Sequence, residues 1–316
     1  MARPDLTTAL PLDIACELRD ALSRRQKELP PRWLAAHDAL SLRERPDRNV
    51  GHDLDTIERD LALALIRDRL SAARPRGVVC LQPSASGAAP SIVDALSSRH
   101  SVTSVVAAEL DQTLAIAMSD RLRPAGASSV AIACDCTIDL PLPETLPRPR
   151  VYLCLGNALG RSTAVGAVRT LRVMRTTMTP GDSIVLGLES RREARSVDAV
   201  ADATDCGAAR HLAALGLVQS ATGAVLDLSR FEFRPSYDRD NCRIETHLVA
   251  RRALSLEVPG ICDVRLRKGE SIRTSVSCVF DRTRVSAMLS GVGLTLQEWT
   301  TDADGSYVVA LAGPAS

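Results

Sequence analysis

Aromatic residues make up only 3% of this 316-residue chain, so its core must rest on Ala, Val, Leu and Ile. No apolar run is long enough to span a bilayer. An excess of charge of either sign is lacking as well. The net charge is +1, which gives no electrostatic case for nucleic acid or an anionic membrane surface. The nine cysteines show no repeated metal spacing. Cys134 and Cys136 flank Asp135, with no second pair nearby. Reduced thiols of a cytosolic protein are therefore favoured over zinc or disulfides. The N-terminus, MARPDLTTALPLDIACELRD, lacks the charged-then-apolar order of a secretory signal, and the cytoplasm is the expected location.

Glycine is missing where it matters most. GVVCLQPSASGAAPSIVDAL (77–96) runs from a buried strand into a helix. Nucleotide-binding proteins often carry a glycine-rich loop at such a junction, because glycine lets the backbone approach a ligand. Here the turn is Gln82-Pro83-Ser84-Ala85-Ser86, and the first glycine is Gly87.

Around this turn the chain alternates. Residues 12–28 read as a helix ending at Pro30-Pro31, 41–52 as a loop, and 53–70 as a helix with Leu54, Ile57, Leu61, Leu65 and Ile66 on one side. Strands are expected at 78–81, 104–110, 129–135, 151–160 and 183–189, with helices between them, including 165–178. That order implies an α/β doubly wound parallel sheet, with its ligand at the carboxyl ends of the strands. Beyond 190 the pattern turns helical. From Phe231 it becomes short strands, then a helix over 281–293 and a closing hairpin around the DADG turn.

CRIETHLVARRALSLEVPG and RLRKGESIRTSVSCVFDRTRVSAMLSGVGLTLQEWTTDADGSYVVAL closely resemble the C-terminal part of the histidine-specific, S-adenosylmethionine-dependent methyltransferases, which make trimethylhistidine. VYLCLGNALGRS, MTPGDSIVLGLE and LPPRW (29–33) resemble further segments of that family, in order. The resemblance implies a Rossmann-like class I methyltransferase core over 71–195. It also implies a smaller α+β substrate domain built from the N-terminal helices (1–70) and a C-terminal β-rich insertion (196–280), with 281–316 completing the fold. The amino-acid substrate would lie between the two.

Site residues follow from the same resemblance. S-adenosylmethionine is the implied cofactor, held by the loop residues Gln82, Ser84 and Ser86, by Glu109 and Asp135 with Cys136 at the ends of the second and third strands, and by Gly156. A carboxylate such as Glu109 can take both ribose hydroxyls. Both glycines expected in the loop are replaced by Gln82 and Ser84, Pro83 removes an N–H, and Cys80 stands where an acidic residue is expected. On the acceptor side, Glu245 and His247 match the family's glutamate and serine, and alternation puts them on one strand face. Arg161 replaces an asparagine, with Asn157 a turn earlier, and a guanidinium there can hold a substrate carboxylate. Tyr237 matches a family tyrosine, whereas Asp202 is the nearest polar residue where another tyrosine is lost.

Two functions fit these residues. The favoured one is an N-methyltransferase for a free amino acid or small amine other than histidine, a basic amino acid such as arginine foremost, working by proximity without a catalytic nucleophile. The alternative is a catalytically silent homologue acting as partner subunit of an active enzyme or as a ligand-binding protein. Neither involves nucleic acid, membrane or metal.

Overall fold

The computed structural model describes residues 11–44, 52–70, 74–190 and 204–315. Two compact units divide the chain. The smaller comprises Met1–Leu40, Ala194–Arg239 and Ile244–Val276, and the larger Ser41–Glu193, Asp240–Arg243 and Ser277–Ser316. Helix 52–65 thus groups with the larger unit, earlier than the boundary expected at residue 70.

The chain opens with α1 (Leu12–Ser23), the short strand β1 (Lys27–Glu28) and α2 (Pro31–Glu44). The helix expected over 12–28 therefore ends five residues early. Its last residues pair in parallel with a later strand, Lys27 opposite Ile272 and Glu28 opposite Arg273. Tertiary pairing has overridden local helical periodicity. Of the loop expected over 41–52, Ser41–Glu44 belongs to α2 and His52 to a later helix, and 45–51 lies outside the described residues. SLRE holds good helix formers, and only the approach to Pro46 disfavours the helix.

In the larger unit, α3 (His52–Leu65) runs into a π-helical turn (Ile66–Leu70). Then come β2 (Gly77–Leu81), α4 (Ala89–Arg99), β3 (Ser104–Glu109), α5 (Gln112–Arg121), β4 (Ser128–Ala133), β5 (Arg150–Cys154), α6 (Ala164–Thr177) and β6 (Ser183–Glu189). Asp111 caps α5 by accepting from Leu114 N at 2.9 Å. β2, β3 and β5 are buried along their whole length, which is why they read as continuous apolar runs. β5 is shorter than the strand expected over 151–160. Gly156 (φ +62°) and Asn157 (φ +53°) are left-handed and turn the chain into a 3₁₀ turn at Ala158–Arg161.

The smaller unit resumes with α7 (Thr204–Thr222), β7 (Phe231–Asp238), β8 (Arg243–Ala250), β9 (Leu254–Val258), β10 (Cys262–Leu266) and β11 (Ser271–Cys278). Its four-stranded sheet has the order β1-β11-β8-β7, and β9 and β10 form a separate antiparallel ribbon. Leu18, Leu22, Trp33, Leu215, Phe231, Leu248 and Ile272 belong to its core. The described part of this unit combines α1 and α2 with the late β region.

The chain then closes the larger unit with α8 (Arg282–Ser290), β12 (Leu294–Thr301) and β13 (Tyr307–Pro314). The seven-stranded sheet has the order β12-β13-β6-β5-β2-β3-β4. β2 to β6 are mutually parallel, while β13 runs antiparallel to β6 and to β12. From β2 the chain winds outward through β3 and β4, then returns to the other side of β2 at β5. The switch point therefore lies at the carboxyl ends of β2 and β5, where the loops 82–88 and 155–161 meet.

Candidate functional site

The loop after β2 starts with Gln82 in the left-handed region (φ +46°), and Pro83 opens a 3₁₀ turn, Pro83–Ala85. Every backbone N–H from Gln82 to Ala88 has a partner within the protein. Gln82 N donates to Ala108 O (2.7 Å), Ala85 N to Gln82 O (2.9 Å) and Ser86 N to Pro83 O (3.2 Å). Ser84 N donates to Glu109 Oε1 (2.8 Å), Gly87 N to Asp55 Oδ1 (2.9 Å) and Ala88 N to Ser86 Oγ (3.1 Å). Pro83 has no N–H to give. A ligand at this loop meets side chains and carbonyls, not a nest of amides.

α3 supplies one of those acceptors and a second carboxylate behind the loop. Asp55 holds Gly87, and Glu58 is buried against three donors: Ser86 Oγ, Tyr307 Oη and Gly156 N, the last at 2.7 Å. These donors belong to the loop after β2, to β13 and to the loop after β5. Burial pushes the Glu58 carboxyl above its usual range, against the pull of Ser86, Tyr307 and Gly156. Burial, with Glu58 alongside, likewise pushes the Tyr307 phenol up, so it stays a donor. The buried stripe of α3 is Glu58, Ala62 and Leu65, continued by Ile66 in the π-helical turn, whereas Leu54 is exposed and Leu61 half-buried. The helix is rotated from its expected apolar face because a hydrogen-bonded carboxylate occupies the inner row.

Glu109 ends β3 and is 2% exposed, with one oxygen on Ser84 N. Asp135, half-buried just beyond β4, accepts from Thr137 N at 2.8 Å. Cys136 is buried, its sulfur 3.7 Å from that of Cys134. Cys80 lies inside the sheet, where burial, followed by the nearby Glu109, pushes its thiol far up. It is a core residue with no acidic role. Gln82 and Ser84 are half-buried, while Ser86 is buried and committed to Glu58.

The loop after β5 faces the loop after β2 directly. A side chain at Gly156 would run into the Ala85 carbonyl. Asn157 is 3% exposed, its amide nitrogen donating to Ser277 Oγ and Cys278 O (both 3.1 Å) and its oxygen accepting from Glu189 N (3.3 Å). It staples β6 to the last residues of β11. Arg161 is exposed and reaches the Ala85 carbonyl at 3.4 Å. Burial pushes the Glu189 carboxyl up, and the Arg161 charge pulls it down.

In the smaller unit, β8 alternates as expected. Ile244, Thr246 and Leu248 are buried, and Glu245 and His247 share the other face. Their surroundings were not legible from the strand alone. Arg273 bridges Glu245 Oε1 and Glu28 Oε1, the latter at 2.6 Å. His247 Nε2 lies 3.1 Å from Glu245 Oε2, and its Nδ1 lies 3.1 Å from Ser271 Oγ. Glu245 thus already holds a guanidinium. Tyr237 is half-buried on β7, and Asp202 lies outside the described residues.

Asp55, Glu58, Glu189, Glu28 and Arg273 are the residues that motif reasoning missed. For Glu58 a signal exists: an acid on the inner row of an amphipathic helix, three residues from a second acid. For Arg273 there is none, since its partners lie 28 and 245 residues away.

The family model for histidine-specific, S-adenosylmethionine-dependent methyltransferases matches residues 92–314. A histidine N-alpha-methyltransferase of Mycolicibacterium smegmatis is 33% identical over 165 residues, 52% of this chain and 51% of that protein, so the match spans about half of that relative's length. The protein of the same name from Mycobacterium tuberculosis is 27% identical over 302 residues, 94% of this chain and 93% of that protein. The structure of the CcbJ methyltransferase from Streptomyces caelestis is similar at a TM-score of 0.49 and 17% identity, covering 87% of this chain and 96% of that one.

Proposed function

This chain belongs to the histidine-specific, S-adenosylmethionine-dependent methyltransferase family, and from that premise we propose that it transfers methyl groups from S-adenosylmethionine to the amino group of an amino acid or small amine. The observation that carries the reading is a pair of carboxylates at the carboxyl edge of the parallel sheet, with Glu109 ending β3 and Asp135 just beyond the adjacent β4. Carboxylates there suit ribose hydroxyls and the adenine edge. Gln82 and Ser84 contribute polar side chains beside them. Cys136, Ser86 and Gly156 act by shaping: the first fills the core and the other two hold the loop to Glu58.

The donor, when bound, supplies an electrophilic methyl group. The protein's task is then to present a neutral amine in line and to keep water out. No side chain need act as nucleophile. Glu245, His247 and Tyr237 are the proposed acceptor contacts. The preference for arginine finds no support: Arg273 already fills the guanidinium position on Glu245, and a second cation would have to displace it. Glu245, fixed by Arg273, instead orients His247.

Calorimetric titration with S-adenosylmethionine and S-adenosylhomocysteine tests the reading, followed by mass spectrometry of an amino-acid mixture incubated with protein and donor. Donor binding and a mass gain of one methyl group on an amino acid are expected. A purified protein that binds neither compound is a silent homologue, and the search moves to a partner subunit.

A further inference from the structure

The donor carries an amino-acid end, and its carboxylate needs positive charge or N–H donors. The loop after β2 supplies neither. Its amides from Gln82 to Ala88 are committed within the protein, and no Lys or Arg occurs between Gly77 and Ser98. The first turn of α4, APSI, adds no cationic side chain.

A cation reaches this loop from the other side of the switch point. Arg161 sits at the end of the 3₁₀ turn after β5, and its Nη2 lies 3.4 Å from the carbonyl of Ala85. Gly156 makes this approach possible, because without a side chain it lets the two loops touch. Arg161 is exposed, so its side chain can adjust to a ligand, and its charge already acts on Glu189. A guanidinium matches a carboxylate in a two-pronged, charge-assisted pair, roughly twice as strong as neutral hydrogen bonds.

We propose that Arg161 holds the α-carboxylate of the methyl donor, taking over the work that loop amides do elsewhere. This assigns it to the donor instead of to an acceptor carboxylate, and it rests on the reading of S-adenosylmethionine as donor. The replacement of loop glycines by Gln82 and Ser84 and the arginine at 161 then become one change seen from two strands.

The test uses the full-length protein, two ligands and three forms of residue 161. S-adenosylhomocysteine has the amino-acid end, and 5′-methylthioadenosine lacks it. Calorimetry on the wild type, Arg161→Gln and Arg161→Lys separates the ends of the molecule. Arg161→Gln is expected to weaken S-adenosylhomocysteine by roughly 10- to 100-fold while leaving 5′-methylthioadenosine unchanged. Arg161→Lys should recover part of the loss, because it restores charge without the fork. Unchanged affinity for S-adenosylhomocysteine in Arg161→Gln overturns the proposal, and so does equal weakening of both ligands, which marks a structural brace for Glu189. A wild type that binds neither ligand overturns the donor reading itself, and this one with it.

Discussion

At the scale of single residues, Glu58 governs more of the candidate site than any residue the motifs name. It ties three chain segments together through Ser86, Gly156 and Tyr307. Replacing it by Ala strands three buried donors, each costing about 1–3 kcal/mol. Glu58→Ala is therefore expected to lose at least about 3 kcal/mol in urea denaturation, and Glu58→Gln, which keeps an acceptor, clearly less. The pH dependence has a definite sign. Burial raises the folded-state pKa above the ordinary 4.5, so the folded protein retains a proton that the unfolded chain releases. The contribution of Glu58 is most favourable below 4.5, declines as pH rises through the raised value, and is then flat. Denaturation series between about pH 4 and about pH 8 should show that decline in the wild type and not in Glu58→Gln. An identical slope in both assigns it to another group. Gly156→Ala combines a left-handed backbone (φ +62°) with a collision at the Ala85 carbonyl. It is expected to lower both the melting temperature and the affinity for S-adenosylhomocysteine, and a variant that keeps both values shows that the loops can part without consequence.

At the scale of elements, the parallel strands were legible and their neighbours were not. VVCL and SIVLGLE appear as strands because buried parallel strands are apolar on both faces. Lys27–Glu28 carries no such pattern. It becomes β1 because β11 offers it a ladder, and the pairing sets Glu28 opposite Arg273. Arg273 there reaches across to β8 and holds Glu245. Arg273→Gln leaves two carboxylates facing each other without their cation. The expected cost is about 3 kcal/mol, at the lower end for a broken buried pair because Glu28 keeps some solvent. Adding Glu245→Gln should recover part of it. A double-mutant cycle in urea checks this, and strictly additive losses would show that the pair is not coupled.

At the scale of the whole molecule, neither unit is a continuous stretch of chain. The larger one needs Ser277–Ser316 to finish what Ser41–Glu193 begins. β13 pairs with β6 along Ile184–Glu189 and brings Tyr307 to Glu58. A fragment of residues 41–193 keeps all five parallel strands, yet it exposes the β6 edge and takes Tyr307 away from Glu58. It is expected to show no cooperative thermal transition by circular dichroism, and a sharp transition would mean that the parallel half folds unaided. Among the described residues no helix is long and apolar enough to cross a membrane.

The sequence by itself determined the alternation of strands and helices, the doubly wound sheet, the separate β-rich region and the family. The first three are written in periodicity, which reads along the chain and needs no partner, and the family in the resemblance of its motifs. It also flagged the loss of glycine from the loop after β2, without saying what that loss did. Only the tertiary structure decided that the loop amides are all engaged, that Asp55 and Glu58 from α3 engage them or their neighbours, and that Glu245 already has its guanidinium. The reason is separation. Glu58 and Tyr307 are 249 residues apart, and Glu28 and Arg273 are 245. A hydrogen bond is decided by which groups the fold brings within about 3 Å of each other, and no local spacing encodes that.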